Sequence, residues 1–431
     1  MVFSRLFYHL QETDRQLWRL TVIFFRFTAV QLILSLVLIP ASIIAFASEE
    51  YPHTDEVIGT VRQIYDGKLD PQIQINTFRN IDRLFPTRAV TAGDGYLELK
   101  HKDKAFSYFS FEANGQTYDF YDYLAIGRVS GLLVLHDGEI AYENYLMGNS
   151  DRSRWMSMSV VKSMLAMLVG AAIHDGHIQS IDDPLTNYVP RFKETAYDSV
   201  TVRQLLQMTS GVSWNETYTD PSSDRREMLD AQIGQEPGKI LDLMAALPRA
   251  AVPGSVWNYS TGETQVVSAL VREATGIPVA DYLSEKIWKP AGMRNDASWW
   301  LDSLDGLEIG GSGLSATLRD YARFGLFLLA DGIGQQGQRV LPVDWVDTAS
   351  TPKLVNDEIV PYGYMLWPLD DGAYSAIGIF GQFVYVDPNR NIVIAMWSAQ
   401  PKPEQRSGID EYIFLAELAK AVQNFYINPE P

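Results

Sequence analysis

The chain has no cysteine among its 431 residues. Disulfides, thiolate nucleophiles and Cys-based zinc sites are excluded together. The absence suits an oxidising compartment, where a free thiol is a liability. Histidine is scarce, with six residues, and none is well placed as the base of a hydrolytic triad. His9 precedes a long apolar run, His53 and His101 lie in a polar stretch, and His136 falls at a turn, where it is expected to be solvated. His174 and His177 read as a helix-end pair with no third metal ligand near in sequence. There is no Gly-x-Ser-x-Gly and no His-Glu-x-x-His, which argues against an α/β-hydrolase and a zincin. Gly310-Gly311-Ser312-Gly313 lacks both a preceding βαβ strand and a Walker lysine, so it reads as a tight turn rather than a phosphate cradle. Positive charge is short: 35 Lys and Arg stand against 53 Asp and Glu, a net charge of -18. That balance opposes a nucleic-acid partner, whose phosphates need a basic surface.

Apolar residues make up 46% of the chain, enough for a sizeable core. Near the N-terminus Arg5, Arg15, Arg19 and Arg26 precede an apolar run from Phe27 to Ala47, followed by Glu49 and Glu50. The run is long enough to span a bilayer, and the charge asymmetry puts its N-terminal side in the cytoplasm. Ala45-Phe46-Ala47 also has the small-x-small form of a cleavage site. Residues 1–48 are therefore expected to be a membrane anchor or a signal segment. Either would place the body on the periplasmic or extracellular side, with membrane contact through this segment if it stays uncleaved.

Residues 49–115 are mixed and polar and read as an N-terminal extension; residues 116–431 read as the main domain. Asp137-Gly138 separates two β-rich runs, 131–136 and 139–145, a strong hairpin signal. A second hairpin is expected over 383–386 and 392–396. Between them lie helices from Ser159 to His174, Val202 to Met208, through much of 224–290, and Leu314 to Leu329. The last helix aligns Phe414, Leu418, Val422 and Phe425 on one stripe. Strands at both ends with helices between predict an α+β fold: an antiparallel β-sheet flanked by helices, plus a mostly helical subdomain.

The segment with most chemistry is Ser159-Val160-Val161-Lys162, opening an apolar run that continues to Ile173. Residues three apart share a helix face, so the hydroxyl and the amine are neighbours. Alone, Ser-x-x-Lys also fits an exposed lysine one turn after an N-terminal serine. Here both flanks are apolar, which predicts burial, and burial pushes a lysine toward its neutral form. A neutral amine beside a hydroxyl can activate serine without histidine. Tyr259, in Trp257-Asn258-Tyr259-Ser260-Thr261-Gly262, is the remaining candidate base. A nearby lysine charge is expected to ease its ionisation.

The order Ser159-x-x-Lys162, then Tyr259-Ser260-Thr261, then a glycine-bearing C-terminal strand resembles the serine β-lactamase and penicillin-binding-protein superfamily. Residues 157–163, 205–212, 214–218 and 296–300, with Gly381-Gln382 before Val386-Asp387-Pro388, are similar to its class C-type esterase and amidase branch, which includes 6-aminohexanoate-oligomer hydrolases. The similarity covers about residues 120 to 425. It implies a β-lactamase/transpeptidase-like fold and a hydrolase that needs no metal and no organic cofactor. Ser159 would be the acylated nucleophile, Lys162 would help take its proton, and Tyr259 would be general base and then acid. The backbone amides of Ser159 and Ile379 would form the oxyanion hole, while Tyr218 and Gly378 would contact substrate. Two departures stand out. The family's Tyr-x-Asn is Tyr-Ser-Thr here, and Ala376-Ile377-Gly378 replaces Lys-Thr-Gly, leaving no cation for a substrate carboxylate. A small-molecule ester or linear amide is therefore the expected substrate. A D-Ala-D-Ala carboxypeptidase or weak β-lactamase would need a cation from elsewhere, such as Arg319 or Lys353. A membrane-anchored binding protein on the same fold would need no catalysis at all.

Overall fold

Val129–His136 (β1) is buried along its whole length, as a strand covered on both faces must be. Asp137 and Gly138, with φ of 54° and 78°, turn the chain into Glu139–Tyr145 (β2). This architecture comes from a computed structural model that describes residues 51–403 and 408–427. The expected anchor or signal segment, 1–48, lies outside the described residues. Among the described residues no helix is long and apolar enough to cross a membrane.

The remaining strands of the main sheet arrive more than 200 residues after β2: Trp367–Pro368 (β3), Tyr374–Gly378 (β4), Gln382–Asp387 (β5) and Ile392–Ser398 (β6). The sheet is antiparallel throughout, in the order β3-β4-β5-β6-β1-β2. It closes by pairing β6 with β1, so that Ala395 faces Leu133 and Ile392 faces His136. Side chains alternate across it. Phe383, Tyr385, Ile392, Ile394 and Met396 meet the C-terminal helix Glu411–Ile427 (here α4) through Phe414, Leu415, Leu418 and Val422. Val384, Val386, Val393, Ala395 and Trp397 face the larger core, which contains Val160–His174 (α1), Thr261–Thr275 (α2) and Leu318–Leu329 (α3). Helix α1 is buried from Val160 to Ala172, as expected of a helix apolar on every side.

A second, four-stranded sheet runs in the order 87–90, 297–300, 314–317, 154–156. Residues 49–115 thus supply an edge strand, and the helices Val61–Tyr65 and Pro71–Arg79 bring Ile64 and Phe78 into the main core. Two expectations need correction. Leu314–Thr317 is a strand, because Trp299 and Met156 lie beside it as partners; the helix begins only at Leu318, capped by the Thr317 hydroxyl. His136 is buried rather than solvated, stacked on Tyr426 at 5.2 Å, because α4 covers the hairpin turn.

Candidate active site

The strand Arg154–Met156 leads into α1 through a tight corner. Ser157 N donates to the Leu314 carbonyl at 2.7 Å, tying the corner to the second sheet. Met158 then adopts a φ of 42°, a conformation an L-residue rarely takes and one often found beside reactive groups. Ser159 follows at the N-cap of α1, yet its hydroxyl makes none of the usual capping bonds. It lies 2.8 Å from Lys162 Nζ instead. The Lys162 ammonium also donates to the Gly311 carbonyl at 3.0 Å and to Thr261 Oγ1 at 3.1 Å. Lys162 is 1% exposed. Burial pushes its amine down to about 7; the Glu216 carboxylate opposes that fall and the Arg225 guanidinium adds to it.

Tyr259 comes from the loop before α2. Asn258 pins this loop, its backbone N–H on the Met208 carbonyl at 3.0 Å and its amide on the Trp214 carbonyl at 3.1 Å. The Tyr259 ring lies 5.3 Å from Lys162 Nζ, and Tyr259 borders the same cleft as Ser159. Trp257, Tyr362 and Trp367 surround it at 6.4, 6.0 and 5.9 Å. The expectation that Tyr259 ionises easily is overturned. Desolvation is the largest influence and Glu216 the next, and together they hold the phenol above its ordinary range although Ser159 pulls the other way. Of the three functional groups, the lysine is the one whose proton affinity is moved toward neutrality.

The end of β4 completes the corner. A Cβ on Gly378 would lie 2.9 Å from the Ser157 carbonyl oxygen, so only glycine lets β4 run this close to the nucleophile turn. Ile379 follows. Among the described residues neither its amide nor that of Ser159 has an acceptor, and both residues border the same cleft of about 350 Å³. The cleft is also lined by Glu216, Tyr218, Tyr259, Trp367, Ile377, Gly378, Phe383 and Tyr412. Tyr218 is buried beneath the cleft wall and stacks on Tyr65 at 6.3 Å. The structure therefore brings Ser159, Lys162, Tyr259, Tyr218, Gly378 and Ile379 to one place, with Lys162 reaching the cleft only through Ser159.

Neither distant cation reaches the strand. Arg319 makes a two-pronged pair with Glu143 at 2.7 Å, and Lys353 donates to the Thr348 carbonyl at 2.6 Å. Among the described residues no Lys or Arg lines the cleft, and no group of three or more His, Asp or Glu could hold a metal ion. Three contributors escape sequence reasoning. Gly311 is part of the glycine cluster read as a turn, Thr261 stands where the resemblance expects asparagine, and Glu216 sits inside the motif 214–218. Glu216 accepts from the Thr261 amide at 2.8 Å, and from the Thr261 hydroxyl and the Trp214 indole N–H.

A profile of the Beta-lactamase family matches residues 123–418. The chain is 31% identical over 291 residues to the 6-aminohexanoate-dimer hydrolase of Paenarthrobacter ureafaciens, covering 64% of this chain and 73% of that one. It is 29% identical over 190 residues to Esterase EstB of Burkholderia gladioli, covering 39% of this chain and 46% of the esterase. A Bacillus anthracis structure provisionally assigned as a 6-aminohexanoate-dimer hydrolase superposes with a TM-score of 0.74 at 22% identity, over 84% of this chain and 96% of that one. A penicillin-binding protein from Bacillus halodurans shares the fold at a TM-score of 0.56 and 17% identity, over 70% of this chain and 99% of that one. With this matched span and these relatives, the chain belongs to the β-lactamase family and is a hydrolase of the β-lactamase/transpeptidase-like superfamily.

Proposed function

We propose that the protein is an extracytoplasmic serine hydrolase that cleaves an ester or linear amide through an acyl-enzyme on Ser159. The observation that carries this reading is the 2.8 Å contact between the Ser159 hydroxyl and a buried lysine whose amine is brought down to about 7. Ser159 Oγ attacks the substrate carbonyl carbon while its proton passes to neutral Lys162. The oxygen that becomes negative is met by the amides of Ser159 and Ile379, the first of them reinforced by the N-terminus of α1. Collapse of the tetrahedral species breaks the bond to the alcohol or amine. Tyr259, still a phenol, hands that group its proton and is reprotonated from Lys162. Water then repeats the sequence on the acyl group and frees Ser159.

The substrate class follows from what lines the cleft. Glu216 is among the lining residues, and with no cation among those described a carboxylate on the substrate would meet repulsion. That disfavours β-lactams and D-alanyl peptides. The aromatic and aliphatic walls formed by Trp367, Ile377, Phe383 and Tyr412 suit an extended acyl chain. The similarity to a 6-aminohexanoate-dimer hydrolase and to an esterase points the same way. The extracytoplasmic location rests on the arginine-flanked apolar run before residue 48.

The test is intact-mass analysis after a fluorophosphonate probe, run beside turnover of p-nitrophenyl esters, 6-aminohexanoate dimer and nitrocefin. The expected result is one adduct that Ser159→Ala abolishes, with ester or amide turnover exceeding that of nitrocefin. Absence of an adduct on Ser159 in the folded protein would sink the hydrolase reading and favour a binding protein. Protease accessibility on intact cells checks the location.

A further inference from the structure

The three contacts of Lys162 Nζ are not equivalent. The Gly311 carbonyl, at 3.0 Å, can only accept. Thr261 Oγ1, at 3.1 Å, has a proton of its own to place, and the Glu216 carboxylate takes it. With that proton committed, Thr261 must present a lone pair to the amine. Two of the three amine positions are therefore filled by N–H bonds to acceptors. The third points at Ser159 Oγ, 2.8 Å away. In a neutral amine that third position is the lone pair.

We propose that Glu216 and Thr261 form a positioning relay that aims the lone pair of neutral Lys162 at the Ser159 hydroxyl. The relay rests on the serine-hydrolase reading above and gives Thr261 and Glu216 a part in its chemical step. Thr261 is 2% exposed and never meets substrate; it acts through Lys162. Glu216 is itself held by the Thr261 amide and the Trp214 indole, which fix its orientation toward the Thr261 hydroxyl. The logic parallels that of a carboxylate fixing the tautomer of a catalytic histidine, where loss of the carboxylate leaves the base present but wrongly presented. Here the oriented base is an amine and the intermediary is a hydroxyl.

The charged groups around the amine set the expected pH behaviour. Glu216, on the loop before the helix 224–234, favours the ammonium; Arg225, on that helix, disfavours it; Tyr259 remains an uncharged phenol. Removing the Glu216 charge therefore makes neutral Lys162 available at lower pH, even as the aim of its lone pair is lost.

The experiment compares wild type, Thr261→Val, Thr261→Ser, Glu216→Gln and Glu216→Asp. It measures the pH profile of kcat/KM on a p-nitrophenyl ester, kcat and KM separately, and the rate of fluorophosphonate labelling. Thr261→Val is expected to lower kcat and labelling by about tenfold or more with KM within about twofold, and Thr261→Ser to recover most of that loss. Glu216→Gln is expected to move the acid limb about one pH unit down, with Glu216→Asp leaving the limb near its wild-type position. A purely structural role would lower activity without moving the limb. The relay is refuted if wild type labels at Ser159 while Thr261→Val keeps kcat within twofold, or if Glu216→Gln leaves the limb in place. Failure of wild type to label would instead overturn the hydrolase reading. Should Thr261→Val fail to fold, as judged by circular dichroism, kcat and labelling of Thr261→Ala are read in its place by the same twofold criterion.

Discussion

Lys162 should cost the protein stability in a way that fades as pH rises. Burial brings its amine down to about 7 in the folded chain, against about 10.4 for a lysine in water. Between those two values the unfolded chain holds a proton on this residue that the folded chain has given up. Wherever the unfolded state binds more protons, stability rises with pH, here by about 1.4 kcal/mol per pH unit from this one group. The penalty is full below about pH 7, roughly 5 kcal/mol, and vanishes above the unfolded value. Lys162→Met keeps much of the side-chain volume and removes the titration. It also deprives Gly311 and Thr261 of a donor, at about 1–3 kcal/mol for each buried group left unpaired. That loss is independent of pH, so the slope isolates the titration. Urea unfolding of both proteins from pH 7.5 to 9.5 should show the stability of Lys162→Met relative to wild type falling by roughly 2–3 kcal/mol over those two units. Other titrating groups are common to both chains and cancel. A stability difference that stays flat over this interval would mean that the buried amine titrates where an exposed lysine does, and the proposed role of Lys162 as proton acceptor would lose its physical basis.

Three further consequences concern catalysis. Because Lys162 must be neutral and Tyr259 must stay protonated, kcat/KM of wild type should rise through about pH 7 and then hold level to at least about pH 10; a basic limb near pH 8 would contradict the desolvated phenol. Tyr259→Phe should still fold, since the ring packs against Trp257, Tyr362 and Trp367, while kcat falls by about 10²–10³. Gly378→Ala should lower kcat by about tenfold or more with little change in KM, because its Cβ would press on the Ser157 carbonyl and displace the Ile379 amide. Wild-type kcat in that variant would remove Ile379 from the oxyanion hole.

What the sequence made legible divides by the distance over which each partner acts. Ser159 and Lys162 lie one helical turn apart, so their neighbourhood and burial could be read from a single apolar segment. The Asp137-Gly138 hairpin is equally local, and so are the helix stops at Gly176 and Gly276. Tyr259 is different: it stands 100 residues from Ser159, and only the ordered resemblance singles it out among 22 tyrosines. Leu314–Thr317 read as helix because its strand character comes from neighbours at 298–299 and 154–156. His136 read as solvated because the residue that covers it, Tyr426, comes from the far end of the chain.

The same division explains why the chemistry was less legible than the motif. The bonds that give Lys162 its orientation reach across 99 residues to Thr261 and 149 to Gly311, and Glu216 lies 45 residues from the threonine it holds. No local pattern announces them. The departure from Tyr-x-Asn acquires a meaning only in the fold. Thr261 turns inward, away from substrate, and offers the amine an acceptor whose own proton is claimed by a carboxylate. An asparagine amide there could serve the same two partners, its oxygen accepting from the lysine and its N–H₂ donating to Glu216, whereas valine could do neither. The pairing of residue 261 with Glu216 is therefore better viewed as one unit than as two substitutions. Thr261→Asn is expected to keep most of the kcat that Thr261→Val loses; a loss as large as that of the valine variant would mean that the shape of the residue, and not its donor and acceptor, sets the amine.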